Sequence, residues 1–333
     1  MILSLISVLL PVRNGGELLI ESVNSILGQS YVHFELIIID DGSTDGAIDN
    51  IANMDERLTI VSNRGQGIVD ALNTGFDISQ GDFIARMDAD DISLTHRFQS
   101  QINYLNRHAN VGICATQVEI FSDDGNIAGG YREYERWINQ LCDPKDIVRE
   151  IFVESPLPHP TVMMRRWVFE TLGGYHDSVW AEDYDMWLRA FENNIAMGKP
   201  EGVCLRWRDR MDRTSRVEKR YHKQQFLSAK AHYLARTLLV NRDVVLLGAG
   251  PNGINFLKAL RCYDVKVKAF IDIDPKKIGQ YKQGLPVLAL SALDQYPNAL
   301  FLGTVASRGA RQRIRDLLNI QGLSEGDNYV FAN

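Results

Sequence analysis

The stretch ISVLLPVRNGGELLIESVNSILGQSYVHFELIIIDD, residues 6–41, places two apolar runs on either side of a segment with helical spacing. The runs at 6–12 and 34–40 are short and rich in branched aliphatic residues, which is typical of buried strands. Apolar residues recur every three or four positions across 16–30, and this spacing predicts an amphipathic helix. Strand, helix and strand in this order form a βαβ unit, so the stretch predicts a parallel sheet covered by helices.

The same alternation continues through the first 100 residues. It predicts further helices at 45–54 and 66–79 and further strands at 57–63 and 81–88. Beyond them the pattern is less regular, and it predicts strands within 112–121 and 161–166 and helices at 182–194 and 217–239. We therefore expect one α/β domain with a mostly parallel central sheet over residues 1–240, ending in a long basic helix.

A second α/β pattern begins after Asn241. Residues 243–260 have the pattern of a strand, a glycine turn and a helix, and another strand is predicted within 265–274. We predict a smaller, Rossmann-like α/β domain over residues 241–333. This remaining length is about half of a full dinucleotide fold, and no residue pair for hydride transfer is evident, so no redox cofactor is implied.

The glycine turn of this second domain has a nucleotide-binding pattern. GAGPNG fits GxGxxG through Gly248, Gly250 and Gly253, and Asp272 ends the next strand about 20 residues on, where a ribose ligand is expected. Two readings are left open: a second nucleotide site, and a structural or assembly role.

Composition excludes several classes of protein. The 333 residues are 45% hydrophobic, enough for two domains with their own cores, and the net charge of -6 argues against a dedicated nucleic-acid binder. The four cysteines have no metal-ligand spacing, which indicates reduced thiols in a cytoplasmic protein. No apolar run has the length of a membrane span, and the first twelve residues lack the basic start of a signal peptide. Any membrane contact is therefore expected to be peripheral, at the inner face.

Three polar clusters follow predicted strands, at 11–14, 40–45 and 88–91. In parallel sheets, ligands bind beyond the carboxyl ends of the strands, so these clusters mark the expected site. The third cluster, within FIARMDADDIS at 83–93, has three carboxylates in four positions. Like charges so close raise one another's pKa unless a cation lies between them, so the cluster is either a solvated turn or a metal site.

The first 216 residues contain six motifs in this order: PVRN, IIIDDGSTDG, NRGQGIVDALNTGF, ARMDADDIS, HPTVMMRR and AEDYDMWLRA. Together they resemble the motifs of the family 2 glycosyltransferases with the GT-A nucleotide-sugar-binding fold, and the resemblance covers residues 6 to 216. It implies an inverting enzyme that takes a sugar from a UDP-, GDP- or dTDP-linked donor. The implied acceptor is a sugar or a lipid-linked glycan, in polysaccharide, lipopolysaccharide or glycan biosynthesis.

The resemblance also assigns roles to residues of the donor site. Asp41 is expected to bind the base, in a pocket lined by Pro11, Arg13 and Asn14. Asp88 is expected to face the ribose and the donor sugar. Asp90 is the expected ligand of a divalent Mn or Mg ion, with Asp91 as the alternative, because these ions prefer carboxylate oxygens.

For the general base, the resemblance implies Asp183, with Glu182 as second choice. A carboxylate in this role needs hydrogen-bond reach to the acceptor and some desolvation. Four further donor contacts are weaker expectations, because each residue could serve structure alone: Arg64, Arg86, His159 and Arg213. Ser215 and Arg216 are alternatives to Arg213 in the basic stretch 205–223, which could instead be a solvated face or contact an anionic membrane surface.

Two other functions and the oligomeric state stay open at this stage. A sugar nucleotidyltransferase has a related fold, but its glycine-rich loop with a lysine is absent from PVRNGGE. A nucleotide-sugar-sensing binding protein would have lost catalysis, which the intact Asp90 and Asp183 argue against. A homo-oligomer is neither indicated nor excluded.

Overall fold

The structure is a computed structural model that describes residues 4–210, 213–305, 307 and 309–333, with only the backbone of Thr214 and Ser215. The chain divides into two compact units. The first comprises residues up to Ile147 together with Pro156–Glu218, and the second comprises Val148–Ser155 and Lys219–Asn333. In the described part of the chain, no helix is both long and apolar enough to cross a membrane.

The described residues form strands and helices in alternation. The strands are β1 (Ile6–Val12), β2 (Phe34–Asp40), β3 (Leu58–Ser62), β4 (Phe83–Arg86), β5 (Ile92–Ser93), β6 (Val111–Cys114), β7 (Gln117–Phe121), β8 (Met163–Arg165), β9 (Ala196–Gly198), β10 (Val203–Arg208), β11 (Val244–Leu247), β12 (Val267–Ile271), β13 (Tyr281–Lys282), β14 (Leu285–Leu288), β15 (Leu300–Gly303) and β16 (Tyr329–Phe331). The helices are α1 (Gly16–Leu27), α2 (Gly67–Ile78), α3 (Arg97–Arg107), α4 (Gly129–Gln140), α5 (Pro144–Glu150), α6 (Arg166–Leu172), α7 (Glu182–Glu192), α8 (Thr214–Val217), α9 (Lys223–Arg236), α10 (Pro251–Arg261) and α11 (Ala310–Ile320). Short 3-10 turns occur at His159–Thr161, Lys219–Tyr221 and Leu290–Gln295.

The main sheet of the first unit has seven strands in the order β3-β2-β1-β4-β8-β6-β9. β1 pairs in parallel with β2 and β4, and β2 pairs in parallel with β3. β8 runs antiparallel to both neighbours, and β6 is parallel to β9. The carboxyl ends of β2, β1 and β4 therefore lie side by side, and the polar loops that follow them share one end of the sheet.

A second, small sheet brings a distant strand beside the acidic turn. β10 pairs antiparallel with β5 and parallel with β7. β5 begins at Ile92, directly after the turn at 88–91, so β10 lies next to that turn although it follows more than 100 residues later in the chain.

Burial explains the apolar runs of the main sheet. β1 and β2 are covered on both faces, so successive residues of each strand are buried rather than every second one. α2 approaches the sheet closely at Gly75, where an added Cβ would lie 2.7 Å from Ile39 Cδ1. Only glycine allows this approach without a shift of the neighbouring side chain.

The second unit has its own six-stranded sheet, in the order β13-β14-β12-β11-β15-β16. Its strands are parallel except for the β13–β14 pair. The inserted segment 148–155 is tied to this unit by polar contacts. Glu150 pairs with Arg311 and Arg315 at 2.9 Å each, and buried Lys230 Nζ donates to the Val153 carbonyl at 2.7 Å.

Most predicted elements are confirmed, and two are corrected. Residues 45–54 form turns instead of a helix, with bonds from Ile51 N–H to the Ile48 carbonyl and from Met54 N–H to the Ile51 carbonyl. Gly46 has φ +75 there, and the short polar side chains of this segment compete with helical hydrogen bonding.

The predicted helix at 217–239 is wrong in length. The continuous helix α9 begins at Lys223, after His222 with an extended backbone. It belongs to the second unit, which begins near residue 219, whereas the expected boundary lies at 240. The assignment of functions to 1–240 and 241–333 stays a prediction.

Candidate active site

Three carboxylates lie together in the turn after β4. One oxygen from each of Asp88, Asp90 and Asp91 lies within 4.8 Å of the other two. Asp91 is 1% exposed, and its burial and the neighbouring carboxylates raise its pKa well above the ordinary value. Burial and Asp88 also raise the pKa of Asp90, although Arg213 and Arg210 act to lower it. A cation between these groups would relieve the repulsion.

The oxygen atoms of this turn fit a divalent cation. Asp91 Oδ2 is buried and has no hydrogen-bond partner in the described part of the chain. Mg²⁺ and Mn²⁺ prefer carboxylate oxygens, and the cluster contains no histidine or cysteine of the kind that zinc sites use. The unpartnered oxygen and the all-carboxylate composition therefore fit Mg²⁺ or Mn²⁺.

Arg208, the last residue of β10, holds the acidic turn in place. Its backbone N–H donates to Asp91 Oδ1 and its Nε donates to the Asp90 carbonyl, both at 2.8 Å. Its terminal nitrogens pair with Glu21 and Asp123, and the side chain is only 3% exposed. Because every group of Arg208 is engaged, it acts as a positioning residue for the cluster.

Arg86 is a buried cation beside the same turn. Its Nη2 lies 2.5 Å from Asp88 Oδ1, whereas Nε and Nη1 are buried and lack hydrogen-bond partners in the described residues. Burial lowers the pKa of Arg86, but Asp88, Tyr175 and Glu182 together raise it above the ordinary value. The guanidinium therefore stays charged, and its field reaches both the acidic turn and the start of α7. Arg97 Nη2 supports it by donating to its carbonyl at 2.7 Å.

Three buried side chains, His159, Tyr175 and Glu182, approach one another and lie within the electrostatic reach of Arg86. His159 Nε2 lies 2.9 Å from the Tyr175 hydroxyl, and His159 Nδ1 lies 3.6 Å from Glu182 Oε1. Burial and Arg86 lower the pKa of His159 well below its ordinary value, so the ring is neutral. The contacts are satisfied when Nδ1 carries the proton towards Glu182 and the Tyr175 hydroxyl donates to Nε2.

Glu182 and Asp183 open α7. Glu182 is 1% exposed, whereas Asp183 is only half-buried, and Asp183 Oδ1 accepts the Tyr184 N–H at 2.6 Å. The helix N-terminus favours negative charge at this point. Buried Met186 and Trp187 fix the helix against the core. Of the two carboxylates, Asp183 is thus the more accessible to a substrate.

Asp41 follows β2 at the same end of the sheet as the acidic turn. Its Oδ1 accepts from Asn63 Nδ2 at 2.6 Å, and both of its oxygens lie 3.0 Å from the N–H of Gly67. Gly67, with φ +80, begins α2. These donors fix the carboxylate between the loops after β2 and β3, and its role in base recognition stays a prediction.

Pro11, Arg13 and Asn14 lie at the end of β1, between β2 and β4. Pro11 is half-buried and Arg13 is exposed. Asn14 has φ +54, its N–H donates to Ser43 Oγ at 3.0 Å, and its Oδ1 accepts the Thr44 N–H at 2.8 Å. These bonds join the loops after β1 and β2 into one polar surface.

The remaining arginine predictions have different outcomes. Arg64 is exposed and pairs with exposed Asp77 at 2.7 Å, as a surface ion pair does. Arg213 lies 4.6 Å above the Trp207 ring, and its charge acts on Asp90. The structure therefore brings Arg213 to the cluster and leaves Arg64 with Asp77. The side chain of Ser215 lies outside the described residues.

Sequence reasoning missed three residues of this site: Arg208, Arg97 and Tyr175. Arg208 lies 117 positions from Asp91, and no local spacing connects them. Arg97 is a fully buried arginine on α3, where an exposed position is the ordinary expectation. Only the alternating pattern of VCLRWR, which is typical of a strand, could have indicated that Arg208 ends an element of the sheet.

Around the glycine turn of the second unit, atoms of the protein itself make close contacts. A Cβ at Gly253 would lie 2.0 Å from the Gly248 carbonyl oxygen, and Gly248 has φ +108, while Gly250 faces open space before α10. Asp272 Oδ2 accepts the Ala249 N–H at 2.8 Å and the Lys277 ammonium at 3.0 Å, and its Oδ1 accepts the Asp274 N–H at 2.9 Å. Asp272 therefore stabilises the turn itself, which favours the structural reading.

Comparison with known proteins gives concordant results. The profile of the family described as Glycosyl transferase family 2 matches residues 7–173. An uncharacterized glycosyltransferase of Haemophilus influenzae is 29% identical over 78% of this chain and 81% of its own length. The Escherichia coli UDP-Gal:alpha-D-GlcNAc-diphosphoundecaprenol beta-1,3-galactosyltransferase is 27% identical over 55% of this chain and 65% of its own.

The fold has a solved counterpart in S. aureus TarS 1-349, whose crystal structure is a complex with UDP-GlcNAc. The two chains align with a TM-score of 0.56 and 13% identity, over 78% of this chain and 80% of the TarS 1-349 chain. The match to the family profile, the acidic turn after β4 and the α/β architecture agree with the resemblance of the six motifs. The chain therefore belongs to glycosyl transferase family 2 and is a glycosyltransferase with the GT-A fold.

Proposed function

We propose that this enzyme transfers a sugar from a nucleoside-diphosphate donor to an acceptor hydroxyl with inversion at the anomeric carbon. One observation carries the proposal: Arg86 pairs with Asp88 of the acidic turn, and its charge also acts on buried Tyr175 and on Glu182, the neighbour of Asp183 in the chain. Leaving-group stabilisation and proton removal need two separate groups of charges, and the acidic turn and Asp183 are the candidates for these two tasks.

The donor would bind along the carboxyl ends of β2, β1 and β4. Asp41 is held by Asn63 and Gly67 so that its remaining lone pairs can accept an N–H of the base. Arg213 lies near the acidic turn and can pair with phosphate oxygens. Arg86 lies behind Asp88, so it positions that carboxylate instead of meeting solvent.

Asp90 and Asp91 would hold a divalent cation, with Asp88 beside them. When bound, a Mg²⁺ or Mn²⁺ ion supplies positive charge that stabilises the leaving nucleoside diphosphate. Arg208 fixes the positions of Asp90 and Asp91 for this role. Its Nε donates to the backbone carbonyl of Asp90, and its backbone N–H donates to a carboxylate oxygen of Asp91.

Asp183 would act as the general base. The acceptor oxygen forms a bond to the anomeric carbon while the bond from that carbon to the diphosphate oxygen breaks, and the hydroxyl proton passes to Asp183. Attack from the face opposite the leaving group inverts the configuration. Partial burial and the neighbouring Tyr184 N–H fix the carboxylate for this transfer.

The proposed setting is glycan biosynthesis with an acceptor that is a sugar or a lipid-linked glycan. The name of the Escherichia coli relative, which acts on a diphosphoundecaprenol-linked sugar, supports this class. We place the reaction in the cytoplasm, at or near the inner face of the membrane. No observation favours a nucleotidyltransferase or a sensing protein over this proposal.

Turnover across a panel of nucleotide sugars tests the proposal. Donor consumption is measured with and without Mn²⁺, and the anomeric configuration of the product is read by NMR. We expect metal-dependent release of a nucleoside diphosphate and an inverted product. Consumption of the nucleotide sugar only when pyrophosphate is added, with release of a nucleoside triphosphate and a sugar phosphate, would indicate a nucleotidyltransferase. Binding without turnover of any donor would indicate a sensor.

A further inference from the structure

Charge is divided very unequally between the two units. The first unit has 18 Lys and Arg against 32 Asp and Glu, a net charge of -14, and the second has 18 against 10, a net charge of +8. The whole-chain value of -6 conceals this difference. A compact basic unit attached to an acidic enzyme indicates an anionic partner for the second unit.

Several basic residues of the second unit that pair with no carboxylate lie near one edge of its sheet. β13 is the outermost strand there. Lys282 lies on it, Lys276 lies in the loop that leads to it, and Arg261 contacts the turn that follows it. Arg261 Nη2 donates to the Gln283 carbonyl at 2.7 Å, which joins the end of α10 to the β13–β14 turn. In the described part of the chain, none of these three cations pairs with a carboxylate. We call this surface the β13 edge.

Exposed apolar side chains occur in the same segment of the chain as Lys276 and Lys282. Ile273, just after β12, is 71% exposed, and Tyr281 in β13 is 73% exposed. Ile273 and Tyr281 belong to one stretch of fewer than ten residues, and Lys276 lies in the same stretch. A nucleic acid or an acidic sugar polymer offers nothing to an exposed isoleucine, whereas the boundary between headgroups and acyl chains accepts both an aliphatic side chain and a tyrosine.

The other exposed apolar surface of this unit has a different charge pattern. α11 exposes Ile320 by 78%, but two of its arginines, Arg311 and Arg315, are engaged by Glu150 and Glu325. Only Arg313 remains on that helix without such a partner. Because the cations of the β13 edge are not neutralised in this way, the edge is the stronger candidate.

We propose that the β13 edge is a docking surface for anionic phospholipid headgroups, with Ile273 and Tyr281 entering the interface. Each basic side chain near an anionic bilayer contributes about fivefold to binding. The proposal does not depend on which donor the first unit uses.

Sedimentation of the full-length protein with vesicles tests this proposal. Vesicles of phosphatidylcholine alone are compared with vesicles that contain phosphatidylglycerol, at low salt and at about 1 M salt, where the Debye length is only about 3 Å. One double variant reverses charge, Lys276→Glu with Lys282→Glu, and one removes apolar surface, Ile273→Ser with Tyr281→Ser. Arg313→Glu and Ile320→Ser are the matched controls on α11, and circular dichroism checks the folding of each variant.

We expect binding to the phosphatidylglycerol vesicles only, with loss of binding at high salt. The charge-reversed variant should bind at least tenfold more weakly, the apolar variant several-fold more weakly, and the α11 controls within twofold of wild type. The proposal is overturned if wild type does not distinguish the two vesicles or if the α11 controls fall as far as the edge variants. It is also overturned if the apolar variant binds as wild type does, because the edge would then be a general polyanion site.

Discussion

The backbone N–H of Arg208 donates to Asp91 Oδ1 at 2.8 Å, across 117 residues of sequence. The bond joins the small sheet to the acidic turn that the main sheet presents. Together with the bond from Arg208 Nε to the Asp90 carbonyl, it means that the geometry of the proposed cation site is set by a residue that would not itself touch the cation.

Replacing Arg208 should therefore weaken cation binding without removing a ligand. Arg208→Lys keeps the positive charge and the backbone N–H but loses the Nε bond to Asp90. We expect the affinity for Mn²⁺, measured by EPR of the free ion, to fall about tenfold or more. Arg206→Lys is the control, since Arg206 lies in the same strand and pairs with exposed Glu119. Equal Mn²⁺ affinity in the two variants would remove Arg208 from this role.

Asp41→Asn should weaken binding of the nucleoside. The charged acceptor becomes an amide whose N–H₂ opposes the donors Asn63 and Gly67, so we expect about a tenfold loss of affinity for a nucleoside diphosphate by calorimetry. Binding of inorganic pyrophosphate should be unchanged, because Asp41 is assigned to the base. The exposed Asp49→Asn serves as control. Equal losses for pyrophosphate and nucleotide would place Asp41 at the phosphates.

Stability should depend on pH through His159. Burial and Arg86 lower its pKa in the folded protein, so below about pH 6.5 the unfolded chain binds a proton that the folded chain does not. The free energy of unfolding should then fall as pH falls, by about 1.4 kcal/mol per pH unit from this group, until the pH reaches the folded pKa. In urea titrations His159→Gln should lose this contribution, while the exposed His33→Gln should keep it. Parallel pH dependences in wild type and His159→Gln would contradict the assignment.

Glu150 should be important for the stability of the second unit. The carboxylate is buried and pairs with Arg311 and Arg315, so Glu150→Gln leaves Arg311 without its partner and Arg315 with Glu325 alone. It should lower the free energy of unfolding by about 3 kcal/mol. Chemical denaturation followed by circular dichroism measures the change. The partly exposed neighbour Glu154→Gln should change it by less than about 1 kcal/mol. A neutral result at Glu150 would mean that the inserted segment 148–155 contributes little to this unit.

The main sheet could be predicted well from the sequence. Its strands are buried on both faces, so they appear in the sequence as apolar runs. Ile6–Val12 and Phe34–Asp40 are strands with the predicted bounds. The segment 45–54 was mistaken for a helix, since Ile48 and Ile51 have helical spacing while the polar residues between them favour turns. Periodicity reports burial, and it does not report which hydrogen bonds the backbone makes.

The acidic turn could also be predicted, because its carboxylates are adjacent in sequence. The residues that hold this turn in place could not be predicted. Arg208, Arg97 and Tyr175 reach the site from other elements, and a buried arginine looks in sequence like any surface arginine. The role of Asp272 stays a prediction, since its spacing fits a nucleotide motif while its carboxylate bonds to Ala249 and Lys277.

The role of Asp183 is the central claim, and one paired measurement tests it most directly. Donor turnover and donor affinity are measured on the same preparation of Asp183→Asn, in the presence of Mn²⁺ and the donor that wild type consumes. We predict that turnover falls by about 100-fold or more, while the dissociation constant of the donor changes by less than about twofold, because a general base acts only in the reaction step. Turnover at the wild-type rate, or a loss of turnover matched by an equal loss of donor affinity, would contradict the account.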